Sequence, residues 1–313
     1  MLEELELERL IENDKNFVRL TNGHISHAIL FVSIDELYSL TFAKQIASEI
    51  LKKNGRDDLA QKVMHKTFVD MSVLSGSTPI KVAEINDIVD KSVEKGIESD
   101  FKFCIITRAD RMTTEAQNKL LKTLEEPTQN QYFFLCVPSR FLLLPTIVSR
   151  CTIIELPEYR PETIKLLIKN SGASDSDSLT AAEQSMGSVE IAQTLLSDSD
   201  PCFDIAIDAI CNINSSSDCI QFATKIQKES IDKIITYQEQ LIVDALKLKY
   251  SSGDIWFSSK LEELKKLSNC SHSGLVFIYN KIQEIKELIK VNVSQTVLAD
   301  KLTLSIAEGK HKQ

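Results

Sequence analysis

Hydrophobic residues follow two rhythms along this chain, and the change comes at about residue 157. Before it, short apolar runs at 28–32, 67–71, 103–106, 132–137 and 151–156 read as strands. Between them Leu37, Leu40, Ala43, Ile46, Ala47 and Ile50 recur at helical spacing, as do Val82, Ile85, Ile88, Val89 and Val93. Strands with little polar alternation, separated by helices, predict a parallel sheet covered on both faces. After Pro157 and Pro161 the strand pattern stops, and the rest of the chain predicts helices over 161–170, 179–186, 189–197, 203–212, 220–248, 260–267 and 275–304. Residues 197–201, Ser-Asp-Ser-Asp-Pro, have the composition of a linker. The expected organisation is an α/β domain over 1–157, a small helical lid over 158–200 and an all-α domain over 201–313. Trp256 and Phe257 are expected in the core or an interface of the last.

Composition narrows the function classes. With 313 residues the chain exceeds one ordinary core, and 43% hydrophobic with 26% charged residues is a globular balance. Its 36 Lys and Arg stand against 45 Asp and Glu, a formal charge of -9, which argues against gripping DNA through a broad basic surface. The seven cysteines include no Cys-x-x-Cys pair and lie near no histidine cluster, so their spacing builds no zinc site. Their odd number, with no leader pattern, suggests reduced thiols and a cytoplasmic location. Cys104 and Cys136 sit in apolar runs, where they are expected to pack as small hydrophobes. The N-terminal Met-Leu-Glu-Glu-Leu-Glu-Leu-Glu is acidic and helical in pattern rather than a basic targeting sequence, and no apolar run reaches membrane-spanning length.

The densest chemistry lies at 113–127, Thr-Thr-Glu-Ala-Gln-Asn-Lys-Leu-Leu-Lys-Thr-Leu-Glu-Glu-Pro, and at Ser149-Arg150-Cys151. Thr114 and Gln117 suit a capping box. Ala116, Leu120, Leu121 and Leu124 form one buried helical stripe, and Pro127 ends the helix. Asn118, Lys119, Lys122, Glu125 and Glu126 fall on the other face, which periodicity reads as solvated surface. The two segments, in this order and with strands between and after them, resemble the signature of sliding-clamp loaders, the AAA+ machines that open ring-shaped clamps on DNA. His24-Ile25-Ser26-His27-Ala28-Ile29-Leu30-Phe31 is similar to that family's lead-in to the phosphate loop. The resemblance covers nearly the whole chain and is strongest from Gly23 to Leu156. It implies a RecA-like AAA+ domain with a parallel sheet, then a helical lid and an all-α collar domain that mediates oligomerisation.

Where such ATPases carry Gly-x-x-x-x-Gly-Lys-Ser/Thr, this chain has Val32-Ser33-Ile34-Asp35-Glu36-Leu37-Tyr38-Ser39-Leu40-Thr41. The glycines that let amides wrap phosphates are missing, as is the lysine that meets the terminal charge. Asp35 and Glu36 add negative charge instead, and Thr41 reads as an ordinary helical threonine. The third core strand ends in Thr107-Arg108 where active relatives hold magnesium with acids, and Asp110 reads as a cap or turn residue. Gly187-Ser188-Val189-Glu190 resembles the lid's sensing motif with Glu190 in the arginine's place. Related subunits often carry a cysteine-rich zinc module where 50–67 holds only His65. No nucleotide cofactor and no metal are therefore expected.

Ser149-Arg150-Cys151 survives. For a lone arginine, a structural salt bridge is one reading. The resemblance implies another, an arginine finger in which Arg150, flanked by Ser149 and Cys151, stabilises a transferring phosphoryl group on a neighbouring subunit's ATP. A chain that keeps the finger and loses its own nucleotide site resembles a non-ATPase stator of the bacterial DNA polymerase III loader. The implied partners are gamma/tau and delta subunits and, through the complex, the beta clamp and primed DNA, with no membrane. An ATP-hydrolysing gamma/tau-type motor and a diverged AAA+ adaptor outside replication are the alternatives.

Overall fold

The computed structural model describes residues 2–65, 67–169, 173–196, 200–291 and 293–312. Two helices open the chain, α1 (Leu2–Glu12) and α2 (Lys15–Asn22). The second starts at Asp14, whose carboxylate accepts from the Asn16 and Phe17 amides. Then follow β1 (Ala28–Val32), α3 (Glu36–Lys53), α4 (Asp57–Met64), β2 (Met71–Leu74), α5 (Val82–Val93), β3 (Lys102–Ile106), α6 (Thr114–Glu125), β4 (Gln131–Val137), α7 (Pro145–Val148) and β5 (Thr152–Glu155).

All five strands are parallel, in the order β2-β3-β4-β1-β5. Phe31 in β1 lies level with Cys136 of β4 on one side and Ile154 of β5 on the other. Successive strand residues serve opposite layers, which is why the runs show no polar alternation. Ile29, Phe31, Phe103, Ile105 and Phe134 join a core with Phe42 and Ile46 of α3. Ala28, Leu30, Cys104, Ile106 and Phe133 join a second core with Ile85 of α5 and Leu120 of α6. This is the parallel sheet covered on both faces that is expected of the first half. Cys104 and Cys136 are buried in these layers, and burial pushes both thiols up to about 12.

Several boundaries differ from expectation, each for a local reason. β2 begins at Met71 rather than spanning 67–71. Phe68 packs its ring against Phe103 from outside the strand, and Asp70 anchors a turn by accepting from the Ile97, Glu98 and Ser99 amides and from Lys102 Nζ. Helix α4 is not evident in the sequence pattern, because eight residues with only Leu59, Ala60 and Val63 buried give too short a period to read. The α6 cap is Thr113 rather than Thr114, and its hydroxyl accepts from the Ala116 amide at 3.2 Å. Gln117 makes no capping box. It donates to the Met112 carbonyl and accepts from the Leu144 amide at 2.8 Å, which ties α6 to the start of α7.

The remaining helices are α8 (Pro161–Ile168), α9 (Asp175–Gln184), α10 (Val189–Leu195), α11 (Pro201–Asn212), α12 (Ser216–Ile226), α13 (Ile231–Tyr250), α14 (Leu261–Ser268), α15 (His272–Lys290) and α16 (Gln295–His311). The helices expected over 220–248 and 275–304 are each two. Lys228 and Glu229 close tight turns between α12 and α13, and because both are good helix formers the apolar rhythm does not betray the break. Residues 170 and 197–199, which fall in the expected helix over 161–170, the expected helix over 189–197 and the linker, lie outside the described residues. Phe203, Tyr237 and Phe257 meet at ring separations of 5.1 to 6.4 Å in the helical core. Trp256 packs at its edge and donates from Nε1 to the Glu183 carbonyl.

The chain forms two compact units. One comprises Met1–Tyr159 with Leu166–Gly172 and Gly187–Ile191, and the other Arg160–Lys165, Ala173–Met186 and Ala192–Gln313. The segment 158–200 thus contributes to both.

Candidate functional site

The sheet brings the ends of β1, β3 and β4 together around a cleft of about 230 Å³, lined among others by Ser33, Glu36, Ser39, Arg108, Pro138 and Glu190. In a parallel α/β sheet this is the edge where ligands bind, at the N-terminus of the helix that follows a strand. Helix α3 begins there. Its first amides point at a carboxylate of the same chain: Asp35 Oδ1 accepts from the Tyr38 amide at 2.8 Å, and Oδ2 accepts from the Val189 amide at 2.6 Å. Asp35 is 1% exposed. One buried side chain therefore supplies negative charge to the α3 N-terminus and fixes the Gly187–Ile191 segment as well. Gly187 makes that turn feasible, with φ at +97° and a Cβ there lying 3.0 Å from the Glu158 side chain.

The other charges around the cleft are mixed. Arg108, in a left-handed conformation at φ 47°, forks onto Asp110, with Nε to Oδ1 at 3.0 Å and Nη2 to Oδ2 at 2.9 Å. Asp110 therefore holds this arginine rather than a metal. Burial and the nearby charges of Asp35 and Glu36 raise the Glu190 carboxyl above its ordinary value, against the pull of Arg108. Thr41 turns its hydroxyl back to the Leu37 carbonyl, and the His27 ring meets the Leu124 carbonyl at 3.0 Å. Among the described residues no group of His, Cys, Asp or Glu could hold a metal ion, and no helix is long and apolar enough to cross a membrane.

The second set of residues lies at the far end of β5. Pro145 at the first position of α7 and buried Ile147 set the short helix, which Ser149 and Arg150 prolong by donating to the Pro145 and Ile147 carbonyls. Arg150 then emerges with its side chain 32% exposed. Its Nε donates to Glu125 Oε1 at 2.6 Å, its Nη2 pairs with the same oxygen, and Nη1 donates to the Thr146 carbonyl at 2.8 Å. Ser149 is exposed, and its hydroxyl donates to the same carbonyl at 3.1 Å. Cys151 packs partly buried against the sheet, and burial pushes its thiol up to about 12. Of the three motif residues, Arg150 alone offers a charge at the surface. The sequence pattern does not reveal the ion pair with Glu125, since the Leu-Glu-Glu-Pro glutamates read as solvent-facing, which both of them are.

Residues 13–160 match the family described as DNA polymerase III, delta subunit. A DNA polymerase III subunit gamma from Buchnera aphidicola subsp. Acyrthosiphon pisum is 30% identical over 190 residues, 56% of this chain and 53% of that protein. A DNA polymerase III subunit delta' from Haemophilus influenzae is 33% identical over 130 residues, 41% of this chain and 39% of that protein. A subunit delta' from Escherichia coli is 25% identical over 253 residues, 79% of this chain and 76% of that protein. The chain matches about half the length of the first relative and less of the second.

Proposed function

We propose that this chain is a member of the clamp-loader family of DNA polymerase III, a reading its similarity to that family's subunits supports, and that it is the loader's delta-prime subunit, a stator that hydrolyses no ATP itself and lends Arg150 to a neighbour's ATP. The observation that carries the reading is Asp35. A phosphate-binding helix terminus needs open amides and a cation, whereas α3 presents a buried carboxylate bonded to its own amide and to Val189. A nucleotide phosphate arriving there would meet negative charge from Asp35, Glu36 and Glu190. An ATP-hydrolysing motor of the gamma/tau type would need the loop and lysine that this segment lacks.

Arg150 has the opposite properties. It is partly exposed, permanently charged, and mounted at the end of a short helix, as suits a group that stabilises charge on another molecule. In this reading the chain assembles with gamma/tau and delta subunits, and the complex places the beta clamp on primed DNA. The helices from 201 onward serve as the collar. Ile220 on α12 and Val297 and Leu304 on α16 are large apolar side chains left exposed, which supports a surface that neighbouring helices cover.

The test is reconstitution of the loader with Arg150→Ala. Assembly by gel filtration should be unchanged, while clamp- and DNA-stimulated ATPase falls, by about 10³ or more at the site that receives the finger. Arg150→Lys should rescue poorly, because an ammonium lacks the planar fork that engages two phosphate oxygens. Unchanged turnover in an assembled Arg150→Ala loader would overturn the proposal.

A further inference from the structure

The Arg150 side chain is partly exposed, but its guanidinium is not free. Glu125 takes the guanidinium along one edge, through Nε and Nη2, while the Thr146 carbonyl takes one hydrogen of Nη1. A guanidinium has five N–H donors. These contacts use three; among the described residues the second Nη1 hydrogen has the Ser149 hydroxyl at a long 3.4 Å, and the second Nη2 hydrogen has no protein acceptor. The outer edge between Nη1 and Nη2 therefore remains available to an anion, and its direction is set by what grips the inner edge.

Both gripping elements are themselves fixed. Glu125 is the last residue of α6, anchored by fully packed Leu120 and Leu124 and by the His27 ring on the Leu124 carbonyl. The helix end carrying Arg150 is anchored by Ile147, and the Gln117 side chain bonds α6 to Leu144, at the head of that same helix. The distance between carboxylate and guanidinium is thus held by two packed helices rather than by two wandering side chains. Long side chains lose rotamer freedom when they are ordered, and an arginine ordered beforehand meets its ligand in one geometry.

We propose that Glu125 is a positioning residue: it holds the inner edge of Arg150 so that the outer edge faces the phosphoryl group of the neighbouring subunit's ATP. This assigns a role to the first glutamate of Leu-Glu-Glu-Pro. It rests on the reading of Arg150 as a finger acting in trans. Glu125 touches no substrate and moves no proton, so its effect passes through Arg150 alone.

The test uses the reconstituted loader with wild-type chain, Glu125→Ala, Glu125→Gln, Arg150→Ala and the Glu125→Ala/Arg150→Ala pair, comparing kcat and KM for ATP with clamp and primed DNA present. Glu125→Ala should lower kcat at the site that receives Arg150 by about ten- to a hundredfold, the scale of a misoriented catalytic group, with KM for ATP unchanged. Glu125→Gln, which retains one acceptor oxygen, should recover part of the loss. The paired variant should be no slower than Arg150→Ala, since removing the support of an absent arginine has nothing further to disturb. A faster Glu125→Ala loader would mean that the glutamate sequesters the arginine, and the proposal would fall. Unchanged turnover in Glu125→Ala beside a slow Arg150→Ala loader would overturn the positioning role and leave the finger standing. Full activity in Arg150→Ala would remove the finger and, with it, this inference.

Discussion

Asp35 and Arg150 are the two residues on which the proposed function rests, and their surroundings are opposite. Asp35 is buried and bonded to two amides that belong to helices far apart in sequence. Arg150 stands at the surface, paired through contacts that water reaches. A residue at a disused ligand site can be taken over for stability, because nothing needs to enter or leave. A residue that acts on another molecule has to stay accessible, and its own fold gains little from it. The contrast is one that stability measurements at the two positions can break.

The largest expected effect falls on the Asp35 side. Asp35→Ala removes a helix cap and leaves the buried Val189 amide without a partner, which together should destabilise the α/β unit by about 2–4 kcal/mol. Urea titration should show the loss, and hydrogen exchange should show the Tyr38 and Val189 amides opening faster. Arg150→Ala measured in the same way should change stability by less than about 1 kcal/mol, the range of exposed ion pairs. Equal losses at the two positions would erase the comparison.

A smaller effect follows from Glu190. Although the residue is exposed overall, its carboxyl is partly desolvated at the cleft wall, and this together with Asp35 and Glu36 raises it, so the folded chain binds that proton more tightly than the unfolded one does. Its contribution to stability therefore improves as pH falls through the folded-state value and worsens as pH rises through it. Glu190→Gln should stabilise the unit at neutral pH by only a few tenths of a kcal/mol, because solvent at this exposed side chain screens the repulsion. The gain should vanish below about pH 4, where the carboxyl is protonated in both states. A gain that persists in acid would assign the effect to packing rather than charge.

Much of the architecture was legible beforehand because sheet strands buried on both faces and amphipathic helices advertise themselves at short range. The β1, β3 and β4 runs and the Ala116, Leu120, Leu124 stripe needed nothing beyond periodicity. The absence of the phosphate loop was equally plain. What replaced it was not, since the bond from Asp35 to Val189 joins residues 154 positions apart, and no local pattern reports it. Arg150 stood out only through its resemblance to a motif. Its partner Glu125 was hidden because an exposed glutamate on a helix looks the same whether it faces water or a neighbouring guanidinium. Gln117 was misassigned for a related reason, as its side chain suits a cap but is used 27 residues away, at Leu144.

The central claim is that the α3 terminus is occupied by the chain's own carboxylate and has no affinity for nucleotide. Calorimetric titration of the intact chain with ATP and magnesium tests it most directly. The account predicts no saturable heat at micromolar nucleotide; a clean one-site isotherm in that range would contradict it.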